Sequence, residues 1–318
     1  MKLETFIFAL LSFIFTLMIS ICIPVYNCDI SKLVGNLLAQ LAKNAISFEI
    51  ILIDDASEVQ YRKLNVQLSK SDNVSYFQLE KNIGRAKIRN LFLSYTNFNY
   101  LLFLDSDSQV NNTKCIENYL TQILKKNQVI CGGRSYPGEL PHKSHYLRWK
   151  FGINRECLPA KNRSKNPYRS FMTNNFVIHR NVLSKILFDE RLTQYGHEDT
   201  LFGYRLKQNK IPIIQIDNPV QHLFTESNIE FIQKTELALK NLIEIRKFID
   251  DKKFDNEIRM LRMYSLITYL RIGMILSAFY FLFKQAIKWL IVKNIGGLKL
   301  FDFYKLLFFT NLTNKGKN

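Results

Sequence analysis

The sequence predicts an α/β fold, a mostly parallel central sheet with flanking helices, followed by a helical C-terminal region that is apolar and basic. Three observations carry this. Apolar runs of strand length alternate with stretches of helical periodicity, the β-α-β-α-β-α-β signature of a parallel sheet with crossover helices. Runs such as Tyr100 to Leu104 (YLLFL) are apolar throughout, as strands buried on both faces are. Acidic residues stand at or just beyond the ends of those runs, at the sheet edge where open α/β folds bind ligands.

The elements follow in order. Residues 1–17 are an apolar extension ahead of the first strand. They fall short of the roughly 20 residues a bilayer span needs, so they read as a mis-assigned start upstream of Met18 or as a weak interfacial anchor. Ile19–Val25, Phe48–Ile53, Val74–Leu79 and Tyr100–Leu104 are the expected strands. Ser31–Lys43, Tyr61–Ser69 and Gly84–Ser94 are the helices between them, the first marked by Leu33, Val34, Leu37, Leu38 and Leu41 at helical spacing. A helix over Cys115–Lys126 and a strand over Val129–Gly133 come next. Residues 137–170 are polar and basic, with Pro137, Pro141, Pro159 and Pro167, and read as loops over the site. Phe171–His179 is a strand followed by a helix from about Asn181. Glu198–Gln208 is a helix and Ile211–Ile216 an edge strand. Ile229–Ile249 is a helix that could continue to Met263. The expected division is thus 1–17, a catalytic domain over 18–228, and a helical region over 229–318.

Composition narrows the partners. The net charge is +17, which suits nucleic acid, an anionic membrane surface or phosphorylated substrates. From Tyr264 onward eight basic residues face one acid, Asp302, and they interleave with long apolar and aromatic runs. That mixture favours a membrane surface over a nucleic-acid groove. The runs are broken by Arg271 and Lys284, so each is short for a span and interfacial helices are expected. The five cysteines are odd in number and none forms a C-x-x-C pair, which fits a reducing compartment without a disulfide framework or zinc site. A cytoplasmic protein, peripheral or monotopic on the cytoplasmic face, is the expectation.

Five stretches carry the chemistry: SICIPVYN, EIILIDDAS, NIGRAKIRN, LLFLDSDS and GHEDTLFGYRL. Two carboxylates spaced i, i+2 at a strand end repel each other and want a cation between them. Oxygen ligands suit Mg²⁺ or Mn²⁺, whose shell is completed by water and substrate phosphate. The plain alternative is a solvated turn, for which Asp and Ser are common residues. The cationic start of the NIGRAKIRN helix favours phosphate, or is a solvated face. Glu198 and Asp199, in a first helical turn, can supply a general base or merely offset the helix dipole.

In this order and spacing the five stretches resemble the family 2 glycosyltransferases, which have the GT-A fold, a Rossmann-like, mostly parallel sheet. The resemblance covers roughly residues 18–225. It implies an inverting, non-processive transferase that moves a sugar from a nucleotide donor, UDP-linked by preference, to a hydroxyl of a glycan or lipid-linked acceptor. Cell-surface polysaccharide or glycoconjugate synthesis is the implied setting. Pro24, Tyr26, Asp55, Asn82, Gly84, Arg89 and Asp105 would bind the nucleotide. Asp107 would hold Mn²⁺ or Mg²⁺, joined by Asp105 and by His222. Asp199 would be the base, with Glu198 beside it, and Asn174, Asn175, Gly196 and His197 would shape the sugar or acceptor pocket. The Q-x-x-R-W motif of processive members is missing: Arg148-Trp149 precedes Glu198 and lacks the Gln. A sugar-phosphate nucleotidyltransferase is the enzymatic rival, but IPVYNCDIS is no Gly-rich basic loop. A GT-A fold retained only for membrane or nucleic-acid binding is the rival from another class; no nucleic-acid partner is expected.

Overall fold

A computed structural model of the chain describes residues 18–315, apart from Ala45, Phe224, Thr225 and Asp250. The expectations for residues 1–17 lie outside the described residues. The N-terminal half alternates as expected: β1 (Met18–Val25), α1 (Ser31–Leu41), β2 (Ser47–Asp54), α2 (Val59–Asn65), β3 (Val74–Gln78), α3 (Arg85–Tyr95), β4 (Tyr100–Leu104). β1 pairs in parallel with β2 and β4, and β2 with β3. Both faces of β1, β4 and the C-terminal half of β2 are buried, while β3 at the sheet edge is only partly covered. On β4, Leu102 and Leu104 join a core with α1, whereas Leu101 and Phe103 join a core with α3. This explains the unbroken apolar runs.

The chain then forms β5 (Ser108–Gln109), α4 (Cys115–Leu124), β6 (Val129–Cys131) and β7 (Arg134–Ser135). Residues 137–170 correct the expectation of loops. They contain α5 (Tyr146–Phe151), a π-helical turn over Gly152–Glu156 and α6 (Ala160–Arg163). The four prolines leave residues 142–158 free to coil. What they bury includes charge, Arg148 and Arg163, so no hydrophobic period announces the helices. β8 (Asn175–His179) is shorter than expected and runs antiparallel to both β4 and β6. After α7 (Arg180–Leu183) and α8 (Glu198–Gln208), β9 (Ile214–Gln215) and β10 (Val220–His222) complete two sheets. The large one has the order β3-β2-β1-β4-β8-β6-β9, and the small one β5-β10-β7.

The C-terminal region is α9 (Asn228–Phe248), α10 (Lys252–Glu257), α11 (Arg259–Tyr269), α12 (Gly273–Val292) and α13 (Gly297–Lys315). A capping box starts α9: the Ser227 hydroxyl accepts from the Glu230 amide, and the Glu230 carboxylate accepts from the Ser227 amide. α9 ends at Phe248 instead of continuing to Met263. The expected boundary at 228/229 coincides with this cap but not with a break in packing. Leu192, Leu201 and Tyr204 share one core with Ile232, Leu239, Leu242, Ile245, Phe301 and Tyr304. Arg271 sits at a left-handed turn between α11 and α12 (φ 57°), so it ends one helix rather than interrupting another. The resulting 20-residue α12 is, by length and composition, long and apolar enough to cross a membrane.

Candidate active site

β10 is the element that brings His222 to the acidic end of β4. It pairs antiparallel with β5, placing His222 opposite Ser108 and therefore beside Asp107. His222 Nδ1 lies 3.3 Å from Asp107 Oδ1. Asp107 Oδ1 and both ring nitrogens of His222 are buried and make no hydrogen bond. Burial would raise the Asp107 carboxyl, but His222, Arg134 and Arg85 outweigh it and hold it well below the usual carboxylate range. A buried carboxylate oxygen and an imidazole nitrogen, facing each other without partners, fit a divalent cation. No group of three or more His, Cys, Asp or Glu occurs at metal-binding range among the described residues. A cation here would therefore take most of its shell from phosphate and water.

Asp105 is differently placed. Arg89 Nη2 donates to its Oδ1 at 2.8 Å, and Arg134 Nη2 lies 3.6 Å from its Oδ2. Both oxygens are thus engaged by guanidinium groups, and the geometry favours Asp107 over Asp105 as the direct metal ligand. Arg89 is itself buried and directed at Asp105 and the Arg85 carbonyl. Asp55 accepts from the amides of Ile83 and Gly84, at 2.7 and 3.1 Å, and the Asn82 amide donates to the Asp55 carbonyl. Burial pushes the Asp55 carboxyl upward and those two amides restrain it. The contact holds the turn at Gly84 (φ 83°), which a side chain would strain.

Asp55, Gly84, Arg89 and Asp105 line a cleft of about 610 Å³ with Pro24, Tyr26, Asn82, Arg85 and Asp107. His222 is buried beside Asp107 and lines neither this cleft nor the next. Tyr26 is 54% exposed, a free aromatic face at its wall. A second cleft of about 570 Å³ holds Glu198, Asp199, Gly196 and His197, with Arg134, Arg148 and Glu156. Arg85, Asp105, Tyr195 and Lys234 belong to both.

The start of α8 is strained in order to aim its carboxylates. Gly196 (φ 98°) and His197 (φ 67°) are both left-handed, and for histidine that costs on the order of 1 kcal/mol. α9 holds the turn: Asn241 donates to the Gly196 and Gln194 carbonyls, and Ala238 Cβ would lie 2.5 Å from a Cβ at Gly196. Burial and the neighbouring Glu198 push Asp199 up to about 6, against the Thr200 amide that donates to it at 2.7 Å. Burial would raise Glu198 too, but Arg85, 3.4 Å away, and Arg89 keep it below its ordinary value. Burial also lowers His197 to about 4, leaving a neutral ring beside Thr200. The two adjacent acids are thus driven apart, one held as a carboxylate and the other poised to exchange a proton near neutrality.

Four placements differ from the sequence reading or lay beyond it. Asn175 lines neither cleft; its amide donates to the Gly133 and Asn218 carbonyls and accepts from Tyr119, so it fastens β8 to its neighbours. Asn174 is buried beside Asp105, whose amide donates to its carbonyl; its own side-chain amide has no partner among the described residues. Arg134, Arg148 and Glu156 form a buried ion network running from Asp105 into the second cleft. Nothing local in the sequence marks them, because the partners come from β7, α5 and the turn after it. Arg85, one residue past Gly84, was visible in NIGRAKIRN, but its position between the clefts was not.

The family model described as Glycosyl transferase family 2 matches residues 20–187. The chain belongs to glycosyl transferase family 2. The matched span ends before Glu198 and Asp199. An uncharacterized glycosyltransferase of Haemophilus influenzae is 34% identical over 117 residues, 36% of this chain and 46% of that protein. A chondroitin synthase of Escherichia coli is 28% identical over 222 residues, 59% of this chain and 32% of that protein. The chain therefore spans less than half the length of these relatives. Among solved structures, the mannosyltransferase PcManGT of Pyrobaculum calidifontis, in complex with GDP-Man and Mn²⁺, matches with a TM-score of 0.54 at 10% identity, covering 93% of this chain and 87% of that one. That likeness is one of fold, and the fold is GT-A.

Proposed function

We propose that the chain is a metal-dependent, inverting glycosyltransferase that moves a sugar from a nucleotide donor, UDP-linked by preference, to a hydroxyl of a glycan or lipid-linked acceptor. The setting is polysaccharide or glycoconjugate synthesis on the cytoplasmic face of an anionic membrane. The observation that carries this reading is the split of acidic groups between two adjoining clefts: Asp107, whose Oδ1 has only the buried His222 beside it, in one and a proton-exchanging Asp199 in the other. The solved mannosyltransferase with GDP-Man and Mn²⁺ supports a nucleotide sugar and a divalent ion as ligands of the first cleft.

In this mechanism Tyr26 packs on the base, while the Gly84 turn and the start of α3 face the diphosphate. Asp107 and His222 would hold the cation, which when bound would offset charge on the departing diphosphate. Arg85 adds a second positive group at the junction of the clefts, the side chain Arg89 is too buried to supply. Asp199 takes the acceptor proton as the oxygen attacks the anomeric carbon, and neutral His197 keeps a competing charge away from it. Glu198 stays ionised and holds Arg85 in place.

A transfer and thermal-shift screen across UDP- and GDP-sugars, with Mn²⁺ and with Mg²⁺, tests the reading. The Asp107→Ala protein should lose the metal-dependent part of nucleotide affinity. Equal UDP affinity with and without Mn²⁺ in the native protein would remove the metal assignment.

A further inference from the structure

The second cleft is walled in part by the C-terminal helices: Phe231, Lys234 and Ala238 of α9, Met260 of α11 and Lys305 of α13. From Met260 at that wall, Met263, Leu266 and Leu270 continue along one face of α11 at helical spacing, all of them exposed. After the turn at Arg271, α12 adds an exposed apolar face of its own. There Met274, Ile275, Phe281 and Leu282 are 81%, 69%, 69% and 72% exposed, with Trp289 beyond them. Cations flank this band: Arg259, Arg262, Arg271, Lys293 and Lys299 are exposed around it, and Asp302 is the single acid from Ile258 to the end of the chain. A wide apolar face edged by lysine and arginine complements an anionic bilayer at its headgroup boundary.

Although α12 is long enough to span, its packing holds it against the protein. Tyr280, Ile287 and Ile291 are buried in the third core. Lys288 Nζ lies 2.7 Å from Glu236 on α9, and Asn314 of α13 donates to Ser277 at 2.8 Å. Crossing a bilayer would break all of these and leave Glu236 without its cation, whereas lying flat keeps them and wets only the outer face.

We propose that the α11–α12 band is a docking surface for an anionic membrane, with α12 lying in the interface, and that docking sets the Met260 wall of the second cleft against the bilayer. The acceptor is then a membrane-anchored molecule whose hydroxyl reaches Asp199 from the lipid side. The acceptor part rests on the assignment of the second cleft given under Proposed function.

The test uses the full chain and vesicles of phosphatidylcholine with and without phosphatidylglycerol. The native protein should sediment with the anionic vesicles, less with neutral ones, and less as salt rises. The variant Leu266→Asp/Ile275→Asp, altered only at exposed positions, should partition roughly tenfold more weakly or worse. Brominated lipid should quench Trp289. In a Trp289→Phe background, a reporter made by Met263→Trp should be quenched as well. Native-like vesicle binding by the double variant would overturn the docking surface. An unquenched reporter at position 263, with Trp289 quenched, would overturn the orientation of the cleft. Loss of self-association rather than of vesicle binding in the double variant would assign the band to a contact between copies and overturn the proposal. UDP affinity with Mn²⁺ is measured on the same proteins. Its absence with vesicle binding intact counts against the transferase reading and leaves the docking surface standing; its presence with vesicle binding unaffected by the variant does the reverse.

Discussion

At the scale of single residues, Asp199 joins function to instability. Its pKa is raised from 3.8 to about 6, first by burial and then by Glu198. A carboxyl whose folded value lies above its unfolded value weakens the fold where it must ionise, so the cost is absent below about pH 4 and complete above about pH 6. It amounts to on the order of 2–3 kcal/mol at neutral pH. Asp199→Asn should therefore abolish transfer yet raise Tm by roughly 3–5 °C at pH 7.5, about half as much at pH 5 and little at pH 4. Calorimetry at these pH values checks this; equal or lower Tm at pH 7.5 would deny the burial cost. Transfer by the native enzyme should fall about tenfold per unit as pH drops below about 6. Arg85 is the second residue to vary. Arg85→Ala removes the pairing that holds Glu198 and one of the two cations, with Lys234, that belong to both clefts, and should lower kcat by roughly one to two orders of magnitude. Steady-state kinetics in donor and acceptor decide it; unchanged kcat would reduce Arg85 to a surface cation. The paired carboxylates and the Glu198–Asp199 turn could be picked out as candidates because each sits in a local motif at a strand or helix end, whereas His222 was a candidate only through the family resemblance. The division of labour between Arg85 and Arg89 was not, since it depends on Asp105 taking the buried guanidinium.

At the scale of elements, the start of α8 shows how a remote helix fixes a site. Gly196 must be glycine twice over, for its positive φ and for the 2.5 Å approach of Ala238 on α9. Gly196→Ala should cost roughly 1–3 kcal/mol and lower kcat more than donor affinity, because the strain falls on the turn that aims Asp199. Adding Ala238→Gly should restore part of the loss by removing the clash while leaving the backbone strain. A double variant no better than the single one would place the whole effect in the backbone. The parallel β-α units could be read from periodicity alone, but the segment from 137 to 170 could not. Its inward-facing groups include Arg148, Glu156 and Arg163, whose burial is repaid by ion pairs and carbonyl contacts that no local pattern reveals. Likewise β5, β7 and β10 are two or three residues long, too short to carry a period of two, yet they place His222 beside Asp107.

At the scale of the whole molecule, the C-terminal helices are part of the body that carries the site rather than an appendage to it. The sequence suggested a tail because composition changes there and because the family motifs end near residue 225. The change in composition marks the exposed face of α11 and α12; the inner faces of α9 and α13 close a core begun by Leu192, Leu201 and Tyr204. Arg246 pairs with Asp255 and Arg169 with Glu257, so α9, α10 and the segment before β8 are also tied by charge. A chain ended after residue 228 would expose that core and free Gly196 from Asn241 and Ala238. The fragment would bare Leu147, Leu192, Leu201 and Tyr204; at roughly 1.5–3 kcal/mol for each large apolar side chain, the loss is comparable to the whole stability of an ordinary domain. The truncated protein should be insoluble or melt without a cooperative transition, and the nucleotide cleft should be lost with it, although most residues lining that cleft are retained. Expression of residues 18–228 beside the full chain, followed by calorimetry and UDP titration with Mn²⁺, gives the answer. A soluble fragment that melts cooperatively and binds UDP as the full chain does would show that the catalytic domain ends at 228 and that the shared core is dispensable.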